Sequence, residues 1–229
     1  MNPFSKFLNE ISSKSLYVLD KGISLSKYVP IDLSYKNNLL HEVDVSSSSC
    51  LSNFVNKQIE EQNGLVGFGG YNETRTIYQR SGHFKALNSE RERNIHLGVD
   101  LWCSAKTLVY TPLDATVHSF NNNNNYGDYG PTIILQHTIK NVVFYTLFGH
   151  LSLQSIVGLK VGQIFKQGEV IGDLGDTSVN GDYPPHLHFQ IIKNIQDYNG
   201  DYPGVCNKTD LRFYLDNCPN PELLLKLKT

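Results

Sequence analysis

Four short segments rich in β-branched and aromatic residues dominate the middle of the chain, and polar or glycine-containing stretches separate them. The segments are TLVYTPLDATVHSF (107–120), PTIILQHT (131–138), NVVFYTLFGHL (141–151) and HLHFQII (186–192). Their length and residue types predict β-strands. The asparagine-rich stretch 121–130 and the glycines of 163–175 predict the turns between them. We therefore expect a mainly β core built from antiparallel hairpins.

The regions on either side of this core contain helical patterns. Residues 1–62 contain the helical pattern SKFLNEI, then a polar serine run, and then the helical pattern SNFVNKQIEEQN, which ends at residue 63. They predict a small mixed α/β N-terminal extension that packs on a core of residues 63–195. Residues 196–229 predict a C-terminal extension that closes with the helix-like ELLLKLK. No internal repeat or flexible linker divides the chain into independent domains.

Composition excludes several classes of partner. The chain has 229 residues and a formal net charge of -2, so no basic excess indicates nucleic acid or an anionic membrane surface. No apolar run approaches the roughly 18 residues that a membrane span requires. The N-terminal residues lack the apolar stretch of a signal peptide, so a cytoplasmic location is expected, or a periplasmic or secreted one if a leader is missing from this sequence. The oligomeric state is left open.

The four cysteines, Cys50, Cys103, Cys206 and Cys218, include no CxxC pair. A thiolate zinc site is therefore not expected, and the spacing is not that of a disulfide framework. We expect free buried thiols. A bridge between Cys206 and Cys218 in an oxidising compartment is the alternative.

Histidines and one aspartate supply the candidate chemistry. If RNIHLGVDLW (93–102) is one strand, His96 and Asp100 point to the same face, and so do His186 and His188 in their own strand. Two imidazoles and a carboxylate form a typical catalytic zinc set that leaves a fourth position for water. The competing interpretation of each pair is a solvated strand face.

Other polar and aromatic residues complete the candidate site. His150, which follows a glycine at the end of a predicted strand, is available as a general base or as a cation beside a developing oxyanion. Trp102 lies on the face of Asp100 by parity, as a groove wall or as part of the core. The remaining histidines are expected to be structural or solvated: His41, His83, His118 and His137.

Several motifs resemble those of a known family. They are HLGVD (96–100), GHLS (149–152), VGQIFKQGEVIGDLGDT (161–177) and PPHLHFQI (184–191). From about Gly64 to Lys193 the chain resembles the M23 metallopeptidases, the lysostaphin-like zinc endopeptidases. The whole chain resembles a branch of that family found fused to class-III aminotransferases, through VPIDLS (29–34), GFGGYNETRTIY (67–78), YGPTIILQH (129–137) and GDYPGV (200–205).

This resemblance implies a lysostaphin-type β-sandwich with a groove and one Zn²⁺ per chain. Carried over position by position, it makes His96, Asp100 and His188 the zinc ligands, and His150 and His186 the catalytic histidines. The implied activity is hydrolysis of peptide bonds in peptidoglycan cross-bridges or glycine-rich peptides. The alternative is a non-hydrolytic module that binds a peptide or small ligand beside another enzyme.

Two further positions follow from the resemblance without a firm role. Arg75 falls where the family often has a groove-lining arginine. Asn72 is placed where latent members supply an inhibitory ligand to the metal. Whether residues 1–62 cover the groove is left open.

Overall fold

Twelve strands, four α-helices and several short 3₁₀-helices make up the regular structure of the described residues, which are 2–82, 84 and 91–227 of the computed structural model. The helices are α1 (Pro3–Ile11), α2 (Ser48–Glu61), α3 (Leu211–Asn217) and α4 (Glu222–Leu225). The strands are β1 (Tyr28–Pro30), β2 (Val66–Gly69), β3 (Ile95–His96), β4 (Val99–Trp102), β5 (Leu108–Tyr110), β6 (Ala115–Asn123), β7 (Gly130–Ile139), β8 (Val142–Gly149), β9 (Ile164–Phe165), β10 (Val170–Asp173), β11 (His186–Ile192) and β12 (Val205–Cys206). Position 83, a candidate structural histidine, lies outside the described residues.

An eight-stranded sheet in the order β1-β2-β4-β11-β8-β7-β6-β9 forms the centre of the fold. Its neighbouring strands are antiparallel except for β1 and β2, which run parallel. Two antiparallel ribbons, β5 with β10 and β3 with β12, lie outside this sheet. The prediction of a mainly β fold with antiparallel hairpins is confirmed. No helix in the described part of the chain is long and apolar enough to span a bilayer.

Strand β11 shows why the sheet can carry both a core and a polar site. Leu187, Phe189 and Ile191 pack into the largest apolar cluster, and all three are fully buried. The alternating positions His186 and His188 point to the opposite face, as the period of two requires. These residues are also buried, because loops and the N-terminal segment cover that face.

The predicted strand 107–120 is divided into two strands in different sheets. Pro112 lies between β5 and β6, where a missing N–H interrupts pairing. The predicted turn at 121–130 is also too long, because β6 continues to Asn123. Asn123 is buried and its amide Nδ2 donates to Thr132 Oγ1 at 3.1 Å and to the carbonyl oxygen of Gly200 at 2.9 Å.

The flanking segments pack directly on the core. Phe4 of α1 contacts Phe144 of β8 edge to face, with ring centroids 6.0 Å apart, and α1 also packs beside α4. In the segment that follows α1, β1 pairs with β2 and extends the central sheet past β4. The helices predicted near both ends of the chain are therefore present, and the strand of the mixed α/β N-terminal segment joins the central sheet, a pairing that the sequence did not predict.

Candidate active site

The segment RNIHLGVDLW is not one strand, and that premise of the sequence argument is wrong. Strand β3 ends at His96, which pairs with Val205 of β12, whereas β4 begins at Val99 inside the central sheet. The break falls at Leu97 and Gly98. His96 and Asp100 meet all the same, with Nε2 of His96 at 3.2 Å from Oδ1 of Asp100.

Gly98 has a steric role in this break. A Cβ at this position would lie 2.6 Å from Cε1 of His188 and 2.8 Å from the carbonyl oxygen of Phe189. Both distances are far inside normal van der Waals contact. The glycine therefore makes room for the imidazole of His188 beside the turn that carries His96 and Asp100.

Three side chains converge where β3, β4 and β11 meet. His188 lies opposite Asp100 in the antiparallel register of β11 and β4, and its Nδ1 is 3.2 Å from Oδ1 of Asp100. Nδ1 of His188 is also 2.8 Å from Nε2 of His96. The three residues are 1–2% exposed, and their ligand atoms lie within 4.8 Å of one another. Strand parity holds for His186 and His188, which share β11, but His96 and Asp100 lie in different strands and meet across the break at Leu97 and Gly98.

Hydrogen bonds on the outer side of each ring assign its tautomer. Nδ1 of His96 is 2.9 Å from the carbonyl oxygen of Gly70, which can only accept, so Nδ1 carries the proton. Nε2 of His188 is 2.9 Å from Oε1 of Gln190. The Gln190 amide is oriented by its own Nε2, which donates to the carbonyl oxygen of Pro203 at 3.1 Å. His188 is therefore the donor to Gln190.

The inner atoms of the cluster are consequently all acceptors. Burial lowers the pKa of His96 to about 4, so its ring is neutral near pH 7. Nε2 of His96, Nδ1 of His188 and Oδ1 of Asp100 then direct lone pairs at one another from 2.8 to 3.2 Å. Such an arrangement is repulsive unless a cation lies between the three atoms. The donor set therefore fits a divalent metal ion.

The second oxygen of Asp100 is bound by Arg75. Nη1 of Arg75 donates to Oδ2 at 2.6 Å, and the guanidinium also pairs with Glu73. Burial opposes ionisation of Asp100, but its interactions with His96 and Arg75 hold the pKa of this carboxyl well below its usual range. The sequence indicated Arg75 only as a groove-lining residue and did not predict this ion pair. Asn72 lies in the same loop, and its backbone N–H donates to the carbonyl oxygen of His96 at 2.9 Å.

Two further histidines stand beside the cluster with their rings in contact. The centroids of His150 and His186 are 4.2 Å apart. Nδ1 of His150 donates to the carbonyl oxygen of Asn180 at 2.8 Å, and Nδ1 of His186 donates to that of Pro184 at 2.7 Å. In both rings Nε2 is left as an acceptor. Nε2 of His186 is 3.8 Å from Oδ1 of Asp100.

His150 lies at a sharp turn of the chain, and burial favours the neutral form of both rings. His150 follows the last residue of β8 and has φ of 64°, a left-handed conformation that turns the chain away from the sheet. Burial lowers the pKa of His150 and of His186 below the ordinary value for histidine. Each ring is therefore ready to accept a proton at neutral pH.

A cleft of about 210 Å³ is lined by the three candidate ligands, by Arg75 and by the two further histidines. Trp102 forms part of its wall, stacked on His186 at 6.0 Å between ring centroids and 25° between planes. Leu33 and Leu51 from the N-terminal segment also line the cleft. The predicted extension therefore contributes to the wall of the site.

The remaining candidates lie elsewhere. His137 is fully buried between the carbonyl oxygen of Asp114 and Oγ1 of Thr146, and His118 is 2.9 Å from Oγ of Ser119. His41 is exposed. All four cysteines are free thiols, as expected, but the expected burial holds only for Cys206 and Cys218; Cys103 is half-buried and Cys50 is exposed.

A sequence profile of Peptidase family M23 matches residues 94–200, the stretch that holds every one of the five predicted site residues. The chain carries a peptidase family M23 domain. This M23 domain is also similar to the L-Ala–D-Glu endopeptidase of Bacillus subtilis (strain 168), with 30% identity over 107 residues. That match covers 44% of this chain and 31% of the relative, so the chain spans about a third of the length of the curated relative it matches.

Solved structures with similar segments include further peptidases. The catalytic domain of lysostaphin from Staphylococcus simulans is 24% identical, with a TM-score of 0.36 over 53% of this chain and 80% of that one. A zinc-containing peptidase from Vibrio cholerae is 27% identical, with a TM-score of 0.35 over 45% of this chain and 31% of that one. The M23 domain of this chain is joined to helices at both ends that lie outside residues 94–200.

Proposed function

We propose that this protein is a zinc-dependent endopeptidase that hydrolyses peptide bonds with an activated water molecule. The observation that carries the proposal is the convergence of three acceptor atoms, from His96, Asp100 and His188. Both histidines donate their one N–H to partners outside the cluster, and the outer oxygen of Asp100 accepts from Arg75. Two imidazole nitrogens and one carboxylate oxygen form a ligand set typical of catalytic zinc, with a fourth position open. Zn²⁺ held there supplies a Lewis acid that polarises a carbonyl group and lowers the pKa of water.

His150 and His186 are the proposed proton carriers. Both present an unprotonated Nε2 beside the cluster, and both are anchored through Nδ1 to a backbone carbonyl. One ring accepts the proton of the attacking water. If that ring is His186, the resulting imidazolium lies 3.8 Å from Oδ1 of the Asp100 carboxylate, which stabilises it. The same cation steadies the oxyanion of the tetrahedral intermediate and returns the proton to the leaving amine.

The proposed substrate is a peptide of the peptidoglycan type or a glycine-rich peptide. Support comes from the M23 family and from the relative whose name specifies an L-Ala–D-Glu bond. Trp102, Tyr129 and Tyr183 wall the cleft, whose volume is about 210 Å³. Small residues on either side of the cleaved bond fit a cleft of this volume better than bulky ones.

Cleavage assays with the full chain test this function. Purified protein is analysed for metal content and then incubated with peptidoglycan fragments and with pentaglycine, with and without a chelator. We expect one zinc per chain, cleavage of at least one substrate, loss of cleavage with the chelator and recovery when Zn²⁺ is restored. Stoichiometric zinc without chelator-sensitive cleavage would instead favour a module that binds a peptide without hydrolysing it.

A further inference from the structure

The loop of residues 70–75 surrounds His96, although it lies upstream of the region that the M23 profile matches. Its contacts with His96 are three: the carbonyl oxygen of Gly70 accepts from Nδ1, the N–H of Asn72 donates to the carbonyl oxygen, and the carbonyl oxygen of Glu73 accepts from the backbone N–H. Each bond is 2.9 Å long. The backbone and the ring of His96, a candidate ligand, are therefore held by a loop that lies outside the residues matched by the M23 profile.

Arg75, in the same loop, binds one carboxylate oxygen of Asp100 and leaves the other to face the two imidazole rings. Oδ1 faces both imidazole nitrogens at 3.2 Å, whereas Oδ2 accepts from Nη1 of Arg75 at 2.6 Å. The bond to Oδ2 is charge-assisted, the stronger class of hydrogen bond between side chains. A carboxylate held in this way offers only one oxygen to the centre of the cluster.

The guanidinium itself has little freedom to move. Arg75 is 4% exposed, and it pairs with Glu73, whose Oε1 in turn accepts from the backbone N–H of Leu33 at 3.2 Å. On one side Arg75 lies over the ring of Trp102, at 5.6 Å from the ring centroid. On the other side it lies so close to Gly70 that a Cβ there would overlap Nη2. None of these contacts of the guanidinium depends on a metal.

We propose that Arg75 is a positioning residue that keeps Asp100 a one-oxygen ligand and so preserves the open coordination position of the metal. A carboxylate free to rotate can bind a metal through both oxygens, which would occupy the place needed for water. Glu73 balances the charge of Arg75, so the arginine can stay buried without an excess positive charge beside the metal. This inference rests on the proposed metal site.

The test uses Co²⁺ in place of zinc, because the visible absorption of Co²⁺ is strong in four-coordinate sites and weakens as the coordination number rises. The variants are Arg75→Gln, Arg75→Lys, and Glu73→Gln combined with Arg75→Gln, in which Glu73 is not left as a buried carboxylate without its arginine. Glu73→Gln alone removes the charge balance but keeps the bond between Arg75 and Asp100, so it separates the effect of charge from the effect of that bond. Metal affinity, the Co²⁺ spectrum, and kcat and KM of the zinc form are measured for each.

We expect Arg75→Gln and the double variant to bind Co²⁺ with weakened absorption and roughly 10–100-fold lower affinity. In the zinc form kcat should fall more than KM changes, and Arg75→Lys, which keeps one cationic donor, should recover part of the absorption. Spectra and affinities equal to those of the starting protein in both Gln variants would overturn the role of Arg75 while leaving the zinc site intact. Failure of the starting protein to bind Co²⁺ or Zn²⁺ would overturn the proposed function and this inference together.

Discussion

His188 donates the N–H of Nε2 to Oε1 of Gln190, 2.9 Å away and two positions further along the same face of β11. Gln190 is fully buried, and its amide nitrogen donates onward to the carbonyl oxygen of Pro203. This chain of donors leaves His188 only one nitrogen, Nδ1, with which to face Asp100. The orientation of a proposed metal ligand is thus decided by a neutral side chain outside the cluster.

Substitution of Gln190 by alanine should weaken metal binding without removing any ligand. The imidazole of His188 would lose the partner that fixes its tautomer, and zinc affinity should fall roughly 10–100-fold. Competition with a chromophoric chelator measures this change. Gln163→Ala, at an exposed position of the 163–175 segment, is the control and should bind zinc normally. Equal affinities in the two variants would refute the role of Gln190.

The two histidines of the HLH motif should respond differently to removal. His188→Ala removes an inner acceptor and should abolish stoichiometric zinc. His186→Ala leaves the three acceptors in place, so it should keep zinc while turnover falls by roughly 10²–10⁴. Metal analysis and peptide cleavage on the same preparations separate the two effects. Equal zinc retention in both variants would contradict the assignment of His188 as a ligand.

A methyl group at position 98 should disrupt the site through sterics alone. In Gly98→Ala the new Cβ would meet the His188 ring and the carbonyl oxygen of Phe189 at less than 3 Å, and the backbone atom cannot move aside cheaply. We expect a loss of stability of about 1–3 kcal/mol and weaker zinc binding. Gly82→Ala is the matched control, because nothing lies within 4 Å of a Cβ there. Thermal unfolding with and without zinc provides the measurement.

Buried His137 should make the fold sensitive to acid. Burial lowers the pKa of His137 to about 4, whereas the unfolded chain has the ordinary value of 6.5. Between these values the unfolded state binds a proton that the folded state does not, so stability is full above pH 6.5 and falls as the pH drops towards 4. The contribution of this residue is at most about 3 kcal/mol.

Urea unfolding between pH 7 and 4.5, with a chelator present, measures this effect. His137→Gln should lose less stability than the starting protein over that interval, whatever its stability at pH 7. The other buried histidines are present in both proteins, so the difference in slope belongs to His137. Identical slopes would show that His137 does not titrate in this range.

The alternation of β11 followed directly from the sequence, because its apolar and polar positions obey the period of a strand. The break at Gly98 did not, since every residue from Ile95 to Trp102 except the glycine suits a continuous strand. The approach of His188 to Asp100 depends on the register of strands that are far apart in the chain. Local patterns carry no information about that register.

The contact of Arg75 with Asp100 was equally invisible to local patterns. It depends on a loop in which Gly70 has φ of 100°, a conformation open to glycine and strained for other residues. Nothing in the spacing of residues 70–75 and 100 indicates that they meet. The resemblance to a known family named the five site residues, but the atoms that fix their orientation became evident only in three dimensions.

Both edge strands of the large sheet are short. Strand β1 spans three residues and ends at Pro30, and β9 spans two. Long rows of unsatisfied backbone donors and acceptors invite strand addition from another molecule, and proline interrupts such a row. The longest strand, β7 with ten residues, lies in the interior, where β6 and β8 pair with it on either side. Short edge strands protect this β-rich chain against aggregation through strand addition. The interior strands still provide the rigid scaffold on which a catalytic cleft depends.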